Sequence, residues 1–174
     1  STASNVSDLL QQTTGIDIRR RGVSGTQGDL YIRGGGFDQT LLLIDGMKMD
    51  DAQTGHHTLN MILPLYLIER IEIIKGPAAR IFGQNAFNGA INIVTKEIEG
   101  EIGKQNTSIR ELSFGSYSQK NLALSSSILR EKIKSIFSFS TNKSDGYRHN
   151  TDFSNANYFN KTSFKTKKYP IDLI

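Results

Sequence analysis

Two adjacent histidines, His56 and His57, are the residues whose type first suggests chemistry, because histidine is a common metal ligand. They lie in the polar stretch DDAQTGHHT, residues 50–58. Neighbouring side chains of an extended chain point in opposite directions, so the two rings are poorly placed to share one ion. The sequence has no other cluster of metal-ligating residues nearby, and we predict no metal site.

The sequence contains other patterns that occur in functional sites, but the neighbouring segments do not support those functions. The glycine run Gly34–Gly36 follows a predicted strand, as phosphate-binding loops do, but the next segment, Thr40–Ile44, has the pattern of a strand. Phosphate binding needs a helix N-terminus at this place. The absence of cysteine excludes disulfides and thiolate metal sites. No nucleophile–base pair and no carboxylate pair has a supportive spacing, so we predict a binding protein without a cofactor and not an enzyme.

Charge and composition narrow the class further. The net charge of +4 leaves nucleic-acid binding open. The late lysines are spread along strand patterns and not along one helix, so we predict no nucleic-acid partner; they are Lys161, Lys165, Lys167 and Lys168. No run approaches the ~18 apolar residues of a spanning helix, although strands of a membrane β-barrel would show no such run. The first residues lack the apolar core of a signal peptide, and we expect a mature or trimmed piece.

The elements that would position these residues are clearest in the stretch IERIEIIKGPAARIFGQNAFNGAINIVTK, residues 68–96. Alternating isoleucines predict a strand up to Lys75, which Gly76–Pro77 then ends. Residues 78–82 are predicted to form a short helix closed by Gly83, since proline is tolerated at the first position of a helix. Residues 89–95 form a second strand.

Upstream, the spacing of apolar residues predicts a helix within residues 1–14, with Ser4 as its N-cap and Gly15 as its stop. The inward positions follow a 3.6-residue period: Val6, Leu9, Leu10 and Thr13. Two strands follow, at residues 16–21 and 29–33. Asp45–Gly46 then predicts a tight turn between residues 41–44 and 47–49, and Pro64 starts a short helix that leads into the strand from residue 68.

After a polar linker, residues 97–106, apolar and polar residues alternate to the end of the chain. The pattern predicts about four antiparallel strands with turns at Gly115–Ser116 and residues 130–132, and a longer polar loop at residues 141–155. Periodicity alone leaves open a soluble antiparallel sheet or the first strands of a membrane β-barrel.

The residues of this chain resemble the plug domain of TonB-dependent outer-membrane receptors. That family has a basic-Gly-Pro motif, an aromatic-Gly pair, a Gly-Gly pair and a strand ending in Thr-Lys; this chain has Lys75–Pro77, Phe82–Gly83, Asn88–Gly89 and Ile91–Lys96. The segments VSDLLQQTTGIDI, DLYIRGGG and LLLIDGMKM resemble further plug motifs and occur in the same order. The departures are Phe82 for tyrosine, Ala79 for serine and Asn88 for the first glycine of the pair.

The resemblance implies an α+β fold, in which a plug domain with a small mixed β-sheet and short helices is followed by antiparallel strands from the start of a transmembrane β-barrel. We expect a plug at residues 1–97 and incomplete barrel strands at residues 98–174. Transporters of the family have 22 strands, so we expect a fragment that also lacks the TonB box.

The resemblance also implies which residues act. Arg33, Arg70 and Lys75 match plug positions that pair with carboxylates of the barrel wall, since buried charges need partners; the open alternative is that they are ordinary cations at strand ends. The loops at the outer surface would contact a ligand. Arg21 offers a planar fork to an anionic ligand or chelate, and Phe37 offers a ring for stacking. The remaining candidates are Thr26, Gln27, Asp38, Gln39, Asp51, His56 and His57.

The implied function is that of a TonB-dependent transporter in the outer membrane of a Gram-negative cell, in which the plug gates the barrel. Its partners would be TonB, outer-membrane lipid and a scarce metal chelate, with iron siderophores and cobalamin ahead of glycans. A free-standing plug-like binding module without transport and a soluble α+β enzyme are the alternatives.

Overall fold

The computed structural model describes residues 3, 5–20, 28–49, 59, 63–77, 79–98, 102–165 and 170–174. The chain divides into two compact units, Ser1–Lys96 and Glu97–Ile174. Among the described residues, no helix has the length and apolar character needed to cross a membrane.

The first unit opens with a short amphipathic helix, α1, at Val6–Gln11. Its N-cap is Asn5, whose side chain accepts a hydrogen bond of 2.8 Å from the backbone N–H of Asp8. The prediction of Ser4 as the cap is therefore wrong by one residue, because an Asn side chain caps as well as a Ser side chain. Val6 and Leu10 are buried, as the apolar spacing predicts, but Leu9 is exposed. The helix ends at Gln11 with Gln12 as its C-cap, so the predicted inward position of Thr13 and the stop at Gly15 are wrong.

A two-stranded hairpin follows, formed by β1 at Ile16–Arg20 and β2 at Gly28–Ile32. The strands are antiparallel and place Ile18 opposite Leu30. Arg20 of β1 forms a half-buried ion pair with Asp8 of α1, which ties the helix to the hairpin.

The main sheet of this unit has four strands in the order β4-β3-β6-β5. The strands are β3 at Thr40–Ile44, β4 at Met47–Lys48, β5 at Ile68–Lys75 and β6 at Gly89–Thr95. Strands β3 and β6 are parallel, and the other pairs are antiparallel. Every residue of β3 is buried, as expected for a central strand covered on both faces.

Short helical segments lead into these strands. A 3-10 helix at Phe37–Gln39 precedes β3, another at Leu65–Leu67 precedes β5, and α2 at Ala79–Phe82 lies between β5 and β6. Leu41 and Leu43 of β3 form a buried cluster with Ala86 and Ala90, against which Phe82 packs. The aromatic residue of the aromatic-Gly pair thus helps to cover the sheet, where its hydrophobic area contributes to stability.

The turn between β3 and β4 confirms the sequence prediction. Asp45 has a φ of 47° and Gly46 a φ of 81°, so both residues are in the left-handed region. That conformation matches the twist of a two-residue hairpin, and Asp-Gly is a favoured pair for it.

Gly89, at the start of β6, gives a first testable prediction. A Cβ atom there would meet the carbonyl oxygen of Ile74 and would lie 2.9 Å from Cδ1 of Ile32. We expect Gly89→Ala to lower the free energy of unfolding by about 1–3 kcal/mol, since backbone must move to relieve the overlap. Urea unfolding midpoints measure the effect.

Gly28 of β2 is the matched control for Gly89. A Cβ atom at this strand position would have its nearest neighbour at 3.5 Å, which is ordinary contact. Gly28→Ala should change the free energy of unfolding by less than about 0.5 kcal/mol. Equal effects of the two substitutions would contradict the close packing of β6 against β5 and β2.

The second unit is an antiparallel sheet with the order β11-β10-β9-β8-β7. Its strands are β7 at Gln105–Gly115, β8 at Gln119–Leu129, β9 at Ile133–Ser144, β10 at Phe153–Lys165 and β11 at Pro170–Leu173. The turn at residues 130–132 lies where the sequence predicts it, whereas the turn predicted at Gly115–Ser116 lies at residues 116–118, because Gly115 still belongs to β7.

Two further predictions for this unit are wrong in detail. The polar loop is shorter than residues 141–155, because Thr141–Ser144 and Phe153–Ala156 still pair with each other. The Thr141 hydroxyl donates a 3.0 Å hydrogen bond to the carbonyl of Asn155, so polar side chains support this end of the ladder. The sheet has five strands among the described residues and not about four, since β11 was not predicted; β11 lies at the edge of the sheet, where its proline is tolerated.

The two faces of this sheet differ in chemistry. Leu124 of β8 lies opposite Ile109 and Phe139, and Phe139 lies opposite Tyr158. This side is here named the apolar face; its side chains include Ile109, Leu112, Leu122, Leu124, Phe137, Phe139 and Tyr158. The other side, the polar face, carries Asn106, Ser125, Ser127, Ser138, Ser140 and Asn142. Ile109 is 67% and Tyr158 72% exposed, so large apolar side chains meet the surroundings of this unit.

Candidate functional site

Most side chains predicted to contact a ligand lie outside the described residues. These are Arg21, Thr26, Gln27, Asp51, His56 and His57, and the side chain of Phe37. Asp38 and Gln39 are described; both are exposed and lie in the 3-10 helix before β3. Across the described part of the chain, no group of three or more His, Cys, Asp or Glu side chains could hold a metal ion.

The loop that carries Asp38 and Gln39 is built on unusual backbone angles. Arg33 has a φ of 51° and Gly34 a φ of 77°, so the chain reverses sharply as it leaves β2. The N–H of Gly35 donates to the carbonyl of Ile32 at 3.0 Å, and the N–H of Gln39 donates to that of Gly36 at 3.0 Å. Asp38 and Gln39 are thereby fixed at the end of the sheet where β3 begins.

Arg33 is predicted to contact the barrel wall, and a hydrogen bond fixes its backbone. Its N–H donates to the carbonyl of Gly15 at 3.0 Å, and its side chain is exposed. The ammonium of Lys75 donates to the carbonyl of Thr14, next to Gly15. The structure therefore brings Arg33 and Lys75 to the same short segment after α1.

Arg70, the third predicted contact, has acidic partners on its own strand. Its guanidinium lies 2.8 Å from a carboxylate oxygen of Glu72 and 3.2 Å from one of Glu69. Arg70 and Lys75 are five positions apart on β5, an odd offset, and so point to opposite faces of the strand. A pairing of Arg70 with the barrel wall stays a prediction.

The ion pair of Arg70 continues across the sheet. The Asn92 amide of β6 donates to Glu72 at 3.0 Å, and its oxygen accepts from the N–H of Gly46 at 2.9 Å. Hydrogen bonds from Asn92 and then Arg70 lower the pKa of the Glu72 carboxyl. The hydrogen bond with Glu72 likewise raises the pKa of Arg70.

Residues 1–90 of the 174 match the family model of the TonB-dependent Receptor Plug Domain. The chain belongs to this family. The predicted resemblance is therefore confirmed, and the first unit is a plug.

Curated relatives extend the match beyond the plug. The vitamin B12 transporter BtuB of Vibrio vulnificus (strain YJ016) is 32% identical over 169 residues, which cover 95% of this chain and 27% of that protein. The vitamin B12 transporter BtuB of Vibrio cholerae serotype O1 (strain M66-2) is 32% identical over 146 residues, or 83% of this chain and 23% of that protein. The chain spans about a quarter of the length of these relatives.

Solved structures share the fold of the chain. The copper transporter OprC has a TM-score of 0.73 at 23% identity, over 95% of this chain and 26% of that chain. The pyoverdine outer membrane receptor FpvA from Pseudomonas aeruginosa PAO1 has a TM-score of 0.69 at 16% identity, over 97% of this chain and 24% of that chain. The predicted fold class, a plug with a mixed sheet followed by antiparallel barrel strands, is confirmed by this likeness.

One polar contact within the plug, between Asp45 and Thr95, was not predicted from the sequence. The carboxylate of Asp45 accepts hydrogen bonds from the backbone N–H of Thr95 at 2.8 Å and from its hydroxyl at 2.5 Å. The Asp-Gly pair indicates a turn, and the Thr-Lys pair indicates a strand end, but neither indicates a contact between them. The turn of the Leu-Ile-Asp-Gly motif is thus fastened to β6 by Asp45 and, through Gly46, by Asn92.

The lowered pKa of Glu72 predicts how acid affects the plug. Because ionised Glu72 is favoured in the folded chain, it stabilises the fold at neutral pH. This contribution is lost as the pH falls below the ordinary glutamate value, about 4.3, and through the lowered value. Asn92→Ala removes the largest cause of the shift, so stability should fall less steeply between about pH 5 and pH 3. Urea unfolding at a series of pH values measures this slope.

Glu72→Gln is the control for the acid prediction, since nothing at residue 72 then titrates. The stability difference between wild type and Glu72→Gln should shrink as the pH is lowered. An identical pH dependence in wild type, Asn92→Ala and Glu72→Gln would show that the Arg70–Glu72–Asn92 chain does not contribute.

Proposed function

We propose that this chain is the plug and the first barrel strands of a TonB-dependent transporter in the outer membrane, and that its cargo is a metal chelate, with cobalamin first and iron siderophores second. The observation that carries the proposal is the match to BtuB of Vibrio vulnificus, a vitamin B12 transporter, which covers 95% of the chain at 32% identity and so includes both units. In a free-standing binding module, nothing would require the sequence of the second unit to resemble that transporter.

The apolar face of the second unit supports a membrane location. Side chains such as Ile109 and Tyr158 are largely exposed on one side of a sheet whose other side carries serine and asparagine. Strands of outer-membrane barrels alternate in this way, with apolar residues toward lipid and polar residues toward the interior. We assign the apolar face to outer-membrane lipid.

In this proposal the first unit gates the barrel and has no catalytic role. The exposed Asp38 and Gln39, together with the loops predicted at residues 21–28 and 50–57, would meet the chelate at the outer surface. Arg33, Arg70 and Lys75 would meet carboxylates of the barrel wall. TonB would supply the energy that loosens the plug after the ligand has bound.

Uptake by the full-length receptor tests the proposal. A Gram-negative strain without its own cobalamin receptor would express the receptor, and uptake of radiolabelled cyanocobalamin and of ferric siderophores would be measured with and without TonB. We expect saturable, TonB-dependent uptake of cyanocobalamin and a receptor band in the outer-membrane fraction. A receptor missing from the outer-membrane fraction, or the absence of any TonB-dependent uptake, would overturn the proposal.

The barrel-wall contacts have their own control in this assay. Arg19 is 69% exposed in its side chain and pairs with Asp17 at 3.1 Å on the surface of β1. Arg33→Gln should reduce uptake, whereas Arg19→Gln should leave it near the wild-type rate, because an exposed surface pair contributes little. Equal rates for Arg33→Gln and wild type would remove Arg33 from the proposed contacts.

A further inference from the structure

Asn88 departs from the family pattern, and the structure shows where its side chain lies. A Cβ atom built on Gly35 would collide with the amide of Asn88. The Asn88 side chain therefore fills the space that a side chain at residue 35 would need. Gly35 lies in the middle of the run Gly34–Gly36, so Asn88 contacts the loop where its backbone is least restricted.

Three hydrogen bonds hold Asn88 in this place. Its side-chain amide donates to the side-chain oxygen of Gln39 at 2.5 Å, and its backbone N–H donates to the Gln39 carbonyl at 2.9 Å. Its own carbonyl accepts from the N–H of Gly76 at 2.9 Å. Asn88 thus links the loop before β3 to the Gly-Pro break after β5.

The positions of Asn88 and Gln39 in the sheet indicate how Asn88 acts on the loop at residues 34–39. The parallel pairing of β3 and β6 begins with Thr40 opposite Gly89, so Gln39 and Asn88 lie one residue before it. A run of three glycines has large conformational freedom, and ordering it when a ligand binds would weaken the affinity. Asn88 fills the space over Gly35 and bonds to Gln39, contacts that would restrict the loop before a ligand arrives.

We propose that Asn88 is a positioning residue for ligand binding, which orders residues 34–39 in the shape that presents Asp38 and Gln39. The proposal rests on the proposed function, in which these two side chains meet the chelate. It also makes Gly35 and Asn88 a dependent pair, since a side chain at residue 35 fits only where Asn88 is absent.

The ordering of the loop is tested without any ligand. Hydrogen exchange of the Gln39 amide in the full-length receptor is compared between wild type, Asn88→Gly, Gly35→Ala and the double variant. Asn88→Gly should accelerate exchange by about tenfold or more, as expected when a clamped loop opens locally. Gly35→Ala should disturb the loop in the wild-type background and add little in the Asn88→Gly background. Unchanged exchange in Asn88→Gly, or additive effects in the double variant, would overturn the proposal.

The effect on binding is tested with cyanocobalamin as the probe. Asn88→Gly should raise the Kd about tenfold, because binding must now order the loop, while the uptake rate at saturating probe stays near wild type. Asn88→Asp should bind almost as wild type, since the Gln39 amide can turn and donate to the carboxylate. The leucine of Asn88→Leu fills the space over Gly35 but cannot donate a hydrogen bond to Gln39, so this variant should bind cyanocobalamin weakly. Equal Kd values for wild type, Asn88→Gly and Asn88→Leu would overturn the role in binding.

The two measurements separate this proposal from the proposed function. If wild-type receptor binds neither cyanocobalamin nor a ferric siderophore, the proposed function fails, and with it the role of Asn88 in binding that chelate. The exchange data still decide whether Asn88 orders the loop. If wild type binds cyanocobalamin and the substitutions of Asn88 change neither exchange nor affinity, the positioning role alone fails.

Discussion

Replacing Asp45 by alanine is expected to lower the local free energy of unfolding at the end of β6 by about 2–3 kcal/mol, the cost of a buried donor left without its charged acceptor. The Asp45 carboxylate accepts from both the N–H and the hydroxyl of Thr95, which is only 3% exposed. Alanine would also be strained at a φ of 47°. Hydrogen exchange of the Thr95 amide in the folded receptor measures the change directly.

Two milder substitutions separate these causes. Asp45→Asn keeps a residue that tolerates the left-handed region and keeps one acceptor oxygen, so it should lose about 1–2 kcal/mol. Thr95→Val removes only the hydroxyl and keeps the backbone donor paired, so it should lose about 1 kcal/mol. If the Thr95 amide of Asp45→Ala exchanged at the wild-type rate, the Asp45 carboxylate would not be what stabilises the contact between the turn and β6.

Replacing Ile109 by arginine is expected to reduce strongly the amount of folded receptor in the outer membrane. Ile109 is 67% exposed on the apolar face and lies opposite Leu124. A charge on the lipid side of a barrel strand costs about 2–4 kcal/mol near the middle of the bilayer. Gel mobility before and after heating, on isolated outer membranes, measures the folded fraction.

Asn106 is the matched position on the other side of the same strand. It is exposed and lies opposite Ser127 on the polar face. Asn106→Arg should leave the folded fraction close to wild type, because that side is assigned to the interior of the barrel. Equal losses for Ile109→Arg and Asn106→Arg would contradict the assignment of the apolar face to lipid.

Local patterns predicted the elements of this chain well. The alternation in residues 68–75 predicts a strand that the structure confirms, because side chains of a strand alternate regardless of which strand they pair with. The strand predicted at residues 89–95 is confirmed as well. The Asp45–Gly46 turn was predicted for a similar reason, since its backbone angles depend on these two residues. The N-cap was missed by one residue, because several small polar residues near the helix start can cap it equally well.

Contacts between distant segments could not be predicted from the sequence. The apolar run at Thr40–Ile44 indicates a buried strand but does not say that β6 is its parallel neighbour. The hydrogen bond from Asn88 to Gln39 depends on side-chain rotamers that no pattern encodes. The candidate ligand residues came from resemblance to the family, and for most of them the structure adds no test.

The parallel pairing of β3 with β6 has a consequence for the order of synthesis. Strand β3 emerges from the ribosome well before its neighbour, and the Asp45 and Thr95 that fasten them are 50 positions apart. Until β6 is made, a nascent chain would expose the apolar stretch Thr40–Ile44 with the strand edge that pairs with β6 left open, a state prone to aggregation. We expect such a chain to require a chaperone that prevents aggregation, or transport in an unfolded state. A product truncated before Gly89 should be recovered only in inclusion bodies.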